Sequence, residues 1–230
     1  TDIRRIGYLP EERGLYKKMT VWDQLIYFAR LKGLNHQEAN RKVKSWLERL
    51  DMASWRDKKI EDLSKGMAQK VQFISTVIHE PSLLILDEPF SGFDPVNAEI
   101  IKNEILSLKQ NGTTVILSTH RMESVELLCD QVAMINKSRK ILDGTIREVK
   151  SRFRPDVFSI TLQHLSQPLP SDWRAKEMDG LWEFSLSLEG KSPNELLSAL
   201  MSFGQVIQFQ EQIPSMEEIF IQQVKATEHA

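Results

Sequence analysis

The stretch Leu83-Leu84-Ile85-Leu86-Asp87-Glu88-Pro89 decides the fold of this chain. It opens with an apolar run that is too short for a helix and is typical of a strand buried on both faces. Two carboxylates, Asp87 and Glu88, stand at the carboxyl end of that strand, where α/β proteins bind their ligands. The stretch therefore predicts a parallel sheet with an acidic site at one edge.

The two carboxylates suit different tasks in phosphoryl-transfer chemistry. Asp87 is placed to hold Mg²⁺ directly or through water. Glu88, one residue further, is placed to orient an attacking water and to accept its proton. The alternative is an acidic strand-to-loop turn in which Asp87 caps a helix. The stretch alone leaves both interpretations open.

Alternating strand and helix patterns surround this stretch. The predicted upstream elements are a strand at Arg5–Leu9, helices at Val21–Lys32 and Ala39–Leu50, and a helix from the N-cap Ser64 toward His79. The predicted downstream elements are a helix from the N-cap Asp94 to Asn111, a buried strand at Thr113–Ser118, a helix at Met122–Cys129 and a strand at Gln131–Ile135. This order favours a parallel sheet with crossover helices.

The last third of the chain has a different pattern. Its predicted elements are strands at Val157–Leu162, Trp182–Leu188 and Val206–Phe209, with helices at Pro193–Phe203 and Ser215–Val224. Residues 156–230 carry 11 acidic and 4 basic side chains, against 21 and 26 in residues 1–155. With the break at Arg152–Pro155, this predicts a first domain at 1–152, with a helical subdomain at about 12–80, and a small α+β accessory domain at 153–230.

Composition excludes several classes of function. The formal net charge of −2 gives no reason to expect a nucleic-acid partner, which usually requires a strongly basic face. The single cysteine, Cys129, excludes an intrachain disulfide, favours a reducing compartment and is expected to be a buried small hydrophobe. No apolar stretch approaches the roughly 20 residues that span a bilayer, so any membrane role is expected to run through a partner.

Four further motifs accompany the acidic strand end. Ile6–Glu11 comes first, followed by Leu63-Ser64-Lys65-Gly66-Met67-Ala68-Gln69-Lys70. Ser91-Gly92-Phe93-Asp94-Pro95 and then His120 follow the strand. In this order the chain resembles the nucleotide-binding domain of ATP-binding-cassette (ABC) transporters over residues 3 to about 150. The five motifs are similar to the family's Q-loop, signature, Walker B, D-loop and switch histidine.

The resemblance implies ATP and Mg²⁺ as cofactors and assigns roles to individual residues. Glu88 and His120 are implied as catalytic, and Asp87 and Glu11 as metal ligands. The implied nucleotide-binding residues are Ser64, Lys65, Gly66, Met67, Asp94 and Glu11. In the family, the signature binds a phosphate of ATP held by the other subunit of a dimer. A helix N-terminus suits that task because its free N–H groups and dipole favour anions.

Each of these roles has a simpler alternative. Ser64 and Asp94 also fit as plain helix N-caps, and a lone histidine at a strand end also fits as a structural residue. The chain departs from the family pattern as well. Lys65 replaces the second glycine of the signature, Met67 replaces its glutamine, and Glu11 stands where most members have glutamine. Glu11 adds charge to a site that already holds two carboxylates.

Two segments narrow the resemblance to one branch of the family. Gly7-Tyr8-Leu9-Pro10-Glu11-Glu12-Arg13-Gly14-Leu15-Tyr16 and the tail Pro214–Phe220 are similar to bacterial exporters related to sodium and multidrug efflux. The tail is expected to have a packing role rather than to bind a ligand.

A phosphate-cradling loop is expected in such an ATPase, with the pattern Gly, four residues, Gly-Lys and Ser or Thr. The chain's Gly190-Lys191-Ser192 lacks the first glycine, and Ser192-Pro193 is better explained as a helix start. Since the family's phosphate loop precedes the Q-loop and the chain starts at Thr1, we expect an N-terminally truncated sequence. A natural protein that has lost ATP binding is the competing explanation.

The resemblance therefore predicts a bacterial ATPase subunit on the cytoplasmic face of the membrane. It is expected to act with a second ABC subunit, identical or not, and with a membrane-spanning permease. The expected surface for the permease is the loop after Glu11 together with the helices at 21–50. The alternatives are a soluble ABC ATPase acting on ribosomes or DNA, and a non-catalytic or regulatory cassette without the phosphate loop.

Overall fold

The computed structural model describes the backbone of residues 2–12 and 14–228. Contacts divide the chain into two units, Thr1–Cys129 and Asp130–Ala230. The domain boundary near residue 152 stays a prediction. Among the described residues no helix is long and apolar enough to cross a membrane.

The first unit contains a three-stranded parallel sheet in the order β1 (Ile6–Leu9), β2 (Leu83–Asp87) and β3 (Thr114–Ser118). Leu9 lies beside Leu86, and Asp87 lies beside Ser118. All three carboxyl ends therefore meet at one edge of the sheet. The predicted parallel α/β core is confirmed.

Five helices accompany this sheet. They are α1 (Val21–Leu31), α2 (His36–Arg49), α3 (Lys65–Val77), α4 (Pro95–Gln110) and α5 (Met122–Leu128). Short 3₁₀ turns lie at Asp2–Arg5, Ala53–Trp55 and Ile60–Asp62. Capping side chains fix where the longer helices begin: Asn35 and Glu38 form a reciprocal capping box at α2, and Ser64 accepts a hydrogen bond from the Met67 N–H at α3.

One hydrophobic core joins these helices to the sheet. Fully buried contributions come from α1 (Leu25), α2 (Leu47), α3 (Phe73), β2 (Leu84) and α4 (Ile101). Arg49 of α2 also forms an ion pair with Glu104 of α4, whose carboxylate is nearly buried. Cys129 is half-buried and packs against this core, so the expectation of a buried small hydrophobe is only partly correct.

Helix α3 approaches β1 closely at Gly7. A Cβ at Gly7 would lie 2.6 Å from the carbonyl oxygen of Thr76 and 3.0 Å from Leu84 Cδ1. Because one of these atoms belongs to the helix backbone, it cannot move aside as a flexible side chain would. Glycine at this position therefore sets the distance between α3 and the sheet.

The second unit begins with the antiparallel hairpin β4 (Gln131–Asn136) and β5 (Arg139–Thr145), followed by α6 (Ile146–Arg152). A four-stranded antiparallel sheet follows in the order β7 (Lys176–Met178), β8 (Leu181–Ser187), β6 (Val157–Gln163) and β9 (Gln205–Glu211). A 3₁₀ turn at Ser171–Trp173 and helices α7 (Pro193–Met201) and α8 (Met216–Glu228) complete the unit. The predicted α+β character of the tail is confirmed.

Two strand predictions were wrong in part. The strand at Thr113–Ser118 was expected to be buried, yet Ile116 is 52% exposed and lies level with Tyr8, which is 56% exposed. The reason is that β3 is the edge strand of the described sheet, and an apolar run has the same sequence signature at an edge and at the centre.

The strand at Gln131–Ile135 was expected to extend the parallel sheet, but β4 pairs antiparallel with β5. Lys137 and Ser138 connect them, both with positive φ (46° and 60°). Two consecutive residues of this kind form the tight turn that joins antiparallel neighbours. Lys-Ser is not a usual sequence for such a turn, so the hairpin was missed.

We expect Gly7→Ala to lower the free energy of unfolding by about 1–3 kcal/mol, because the new methyl group overlaps the α3 backbone. Gly14→Ala is the matched control, since nothing lies within 4 Å of its added Cβ. It should change stability by no more than about 0.5 kcal/mol. Urea unfolding followed by circular dichroism measures both, and equal stability of the two variants would contradict the close approach.

His79 holds the start of β1 from the end of α3. Its Nε2 lies 3.2 Å from the carbonyl oxygen of Ile6, which also accepts a 2.9 Å hydrogen bond from Lys32 Nζ. A carbonyl only accepts, so Nε2 carries the hydrogen in the neutral ring. Burial, and next the positive charge of Lys32, lower the pKa of His79 from 6.5 to about 4.

This depressed pKa predicts a pH-dependent stability. The unfolded chain binds a proton at His79 below about pH 6.5, whereas the folded chain binds it only near pH 4. The contribution is fully present above pH 6.5 and is lost as the pH falls toward 4. Because the ring is partly exposed, we expect the free energy of unfolding to fall by only roughly 1–2 kcal/mol over this range. Unfolding of wild type and His79→Gln between pH 7.5 and 4.5 measures the difference, and parallel pH profiles would refute it.

Candidate functional site

Glu88 and His120 meet at the carboxyl edge of the parallel sheet. Glu88 Oε1 accepts hydrogen bonds from the His120 main-chain N–H at 2.8 Å and from its Nδ1 at 2.7 Å. The carboxylate is nearly buried, with 15% of the side chain exposed, whereas the imidazole is 80% exposed. One ring nitrogen therefore faces the carboxylate, while most of the ring faces outward.

The backbone at Glu88 takes a conformation that is rare for a side chain other than glycine, with φ of +44°. Its N–H remains bonded to the Ser118 carbonyl oxygen at 2.9 Å, which continues the pairing of β2 with β3 by one residue. Such a left-handed residue costs about 1–2 kcal/mol. The turn directs the carboxylate across the end of β3 toward His120.

Thr119 is a member of this site that the sequence did not reveal. Its hydroxyl donates to Glu88 Oε2 at 3.2 Å and accepts from the Arg121 N–H at 3.1 Å. Both carboxylate oxygens of Glu88 are therefore engaged. The only signal in the sequence was that Thr119 directly precedes a histidine at a strand end.

Asp87 is half-buried at the last position of β2. Within the part of the chain that the structure describes, its carboxylate has no hydrogen-bond or ion-pair partner. Among the same residues no group of three or more acidic, histidine or cysteine side chains forms a metal cage. A single free carboxylate still fits Mg²⁺, which is usually bound by one or two carboxylates together with water and substrate phosphates.

Glu11 is exposed on the loop that leaves β1 at the same edge. Gln72 of α3 holds this loop, since its Nε2 donates to the carbonyl oxygens of Pro10 at 3.2 Å and Glu12 at 3.3 Å. The sequence did not reveal this role of Gln72. Arg13, part of the segment quoted for the exporter resemblance, lies outside the described residues.

The predicted signature residues Ser64, Lys65, Gly66 and Met67 lie at the start of helix α3. Ser64 is exposed and caps the helix, so the simpler alternative for it is present in the structure. A Cβ on Gly66 would meet only Phe93 and Gly92, at the ordinary distances of 3.8 and 3.9 Å. Folding therefore does not require glycine at this position, whereas close approach of a ligand to the backbone would.

Lys65 and Met67 point in other directions. The aliphatic chain of Lys65 crosses Gly92, where an added Cβ would overlap it. Met67 is partly buried and packs against the core of the first unit. These contacts give the aliphatic part of Lys65 and the Met67 side chain a packing role.

Asp94 caps helix α4, with its Oδ1 accepting from the Asn97 N–H at 2.9 Å. This hydrogen bond, followed by one from the Asn97 side chain, lowers the pKa of Asp94 below its usual value. Ser192 likewise caps α7 through a capping box with Glu195, so Gly190-Lys191-Ser192 is a helix start, as predicted.

Comparison with known proteins agrees with this geometry. A sequence model described as ABC transporter matches residues 2–91. A second, described as the C-terminal domain of the ATP-binding protein DrrA1-3-like family, matches residues 144–224.

Two curated relatives and one solved structure show the extent of the likeness. The uncharacterized ABC transporter ATP-binding protein YhaQ of Bacillus subtilis is 43% identical over 227 residues, covering 96% of this chain and 75% of that protein. The linearmycin resistance ATP-binding protein LnrL of the same organism is 29% identical over 229 residues, covering 95% and 74%. A solved ATP-binding subunit of an ABC transporter superposes with a TM-score of 0.61 at 30% identity, covering 65% of this chain and 62% of that one.

The identity with YhaQ extends through both units of the chain, and the solved subunit has the same arrangement of a parallel sheet with helices. Together with the acidic strand end facing a histidine, these likenesses settle the family. The chain belongs to the ATP-binding proteins of ABC transporters.

Proposed function

We propose that this chain is the ATP-hydrolysing part of a bacterial exporter, and that Glu88 is its general base. The observation that carries the proposal is the Glu88 carboxylate, aimed from the end of β2 at His120 and held by three hydrogen bonds. A fixed carboxylate at the carboxyl edge of a parallel sheet is suited to orient a water and accept its proton.

His120 is proposed to bind a phosphate oxygen. Because a carboxylate only accepts hydrogen bonds, Nδ1 carries a hydrogen when it bonds to Glu88. Nε2 then faces away from Glu88 on a ring that is largely exposed. Nε2 can donate a hydrogen bond to a phosphate oxygen only when it carries a hydrogen as well.

Asp87 is proposed as the Mg²⁺ ligand, with Glu11 as a second carboxylate from the neighbouring loop. When bound, the ion would neutralise charge on the phosphate oxygens. The support is the unpartnered, half-buried carboxylate of Asp87 at the same edge as Glu88. Ser64, Gly66 and the first turn of α3 are proposed to bind a nucleotide phosphate held by a second ABC subunit, with Asp94 near that contact.

The transport assignment rests on the second unit and on the relatives. The DrrA-like model covers most of that unit, and LnrL is named for resistance to linearmycin. We propose that the chain acts at the cytoplasmic face of the membrane with a membrane-spanning permease. The accessory domain at 153–230 is part of this proposal.

An exposed aromatic cluster next to the Q-loop is the proposed permease contact. The rings of Tyr16 and Tyr27 meet edge-on at 5.8 Å. Phe28 stacks against Tyr16 and meets Tyr27 edge-on. Tyr16 and Tyr27 are 52% and 40% exposed. Exposed tyrosines with a rigid neighbour are typical anchors of protein interfaces.

Replacing Glu88 by glutamine in the full-length gene product should reduce ATP turnover by about 10²–10⁴-fold, because the amide cannot accept the proton. ATP affinity should stay within a few fold. Phosphate release and equilibrium nucleotide binding measure the two effects. Glu189→Gln, at an exposed turn of the second unit, is the control and should keep full turnover. Undiminished turnover of the Glu88 variant would remove this residue from the mechanism.

The double variant Tyr16→Ser with Tyr27→Ser should weaken association with the permease by about tenfold or more, because each truncated aromatic anchor costs over about 1 kcal/mol. Co-purification with membranes from cells expressing both genes measures this. Hydrolysis by the detached subunit should persist. Met178→Ser removes an exposed apolar side chain elsewhere and should leave the association intact. Equal membrane association of all three proteins would exclude this surface.

A further inference from the structure

Gln69 of α3 is a buried polar residue whose position packing alone does not explain. Its Nε2 donates to the carbonyl oxygen of Ser91, and the residue is only 7% exposed. Its Oε1 is also buried and has no hydrogen-bond partner among the described residues. An apolar side chain would avoid that unpaired acceptor, so the bond to Ser91 is the feature that distinguishes glutamine here.

Lys65 strengthens the same contact. Residues four apart lie on one face of a helix, so Lys65 and Gln69 both face the turn at Ser91-Gly92. The Lys65 chain crosses Gly92, which has φ of +82°, and a Cβ there would also lie 3.0 Å from Gln69 Oε1. The first two turns of α3 are therefore fitted to this turn by two side chains.

The Ser91-Gly92 turn is directly connected to Glu88. The Ser91 N–H donates to the carbonyl oxygen of Glu88 at 3.0 Å. Phe90, between them, is fully buried in the core, so the turn has little freedom to shift independently. Gln69 thus holds the carbonyl group of Ser91, and the N–H of the same residue closes the turn that begins at Glu88.

We propose that Gln69 is a positioning residue for Glu88. It connects the helix that begins with Ser64 and Gly66 to the turn from which the Glu88 carboxylate reaches His120. This inference rests on the proposed role of Glu88 in hydrolysis. A displacement at the start of α3, where a second subunit's phosphate is proposed to bind, therefore alters the placement of the catalytic carboxylate in the same chain.

The test compares Gln69→Glu and Gln69→Met in the full-length gene product. Glutamate keeps the size of the side chain but turns the donor into an acceptor facing a carbonyl oxygen, and methionine removes hydrogen bonding. In both variants, amide hydrogen exchange at Ser91 should accelerate about tenfold, because its turn loses an anchor. The kcat for ATP should fall about tenfold to a hundredfold, with KM within about twofold.

Two controls separate positioning from a loss of stability. Ile105→Val removes a buried methylene of α4 and should lower Tm without changing kcat. In a Glu88→Gln background, Gln69→Met should cause no further loss of turnover, because residues that act as a unit are not additive.

Unchanged exchange at Ser91 would overturn the inference, and so would faster exchange with an unchanged kcat. An independent, multiplied loss in the Glu88→Gln background would overturn it as well. If the wild-type protein does not hydrolyse ATP, or if Glu88→Gln hydrolyses it undiminished, the proposed function itself fails, and both results are obtained before any Gln69 variant is measured.

Discussion

Helix α3 lies so close to strand β1 that only glycine fits at Gly7, and much of the first unit depends on that contact. The helix and the residues just after it hold two loops and the start of β1. Gln72 holds the loop after β1, Gln69 holds the turn after β2, and His79 holds the start of β1. Because protein interiors transmit small shifts rather than absorb them, one helix with these contacts aligns the edge of the sheet. The positions of the site residues therefore depend on how firmly α3 is packed.

The two carboxylates at the acidic edge of the sheet have different surroundings. Asp87 and Glu88 are adjacent carboxylates at the carboxyl end of β2. Glu88 is turned away by its left-handed backbone and receives hydrogen bonds from Thr119 and His120. Asp87 receives none from any described residue. The oxygens of Glu88 are thus bonded within the chain, while among the described residues those of Asp87 stay free for the proposed Mg²⁺.

The sequence was informative wherever a short-range rule determines the structure. Ser64, Asp94 and Ser192 were identified as caps because each pattern is read within four residues. The acidic end of β2 followed from an apolar run and its position before Pro89. Thr119 and Gln69 were missed because their partners lie 31 and 22 residues away, and no local pattern encodes a contact across elements. The β4–β5 hairpin was missed because strand–helix alternation favours parallel pairing and Lys137-Ser138 is not a usual turn sequence.

The substitution of lysine for a signature glycine at Lys65 illustrates how long-range contacts change the meaning of a motif. Taken alone, a bulky cation at a helix N-terminus blocks the approach of a ligand to the backbone. In the fold, the Lys65 chain turns back over Gly92, and a Cβ on Gly66 would meet Phe93 and Gly92 only at ordinary contact distances. Met67 turns inward to the core. Both departures from the family pattern are therefore absorbed by packing. The Met67 N–H is taken by the Ser64 hydroxyl, which leaves the N–H groups of Lys65 and Gly66 for an anion.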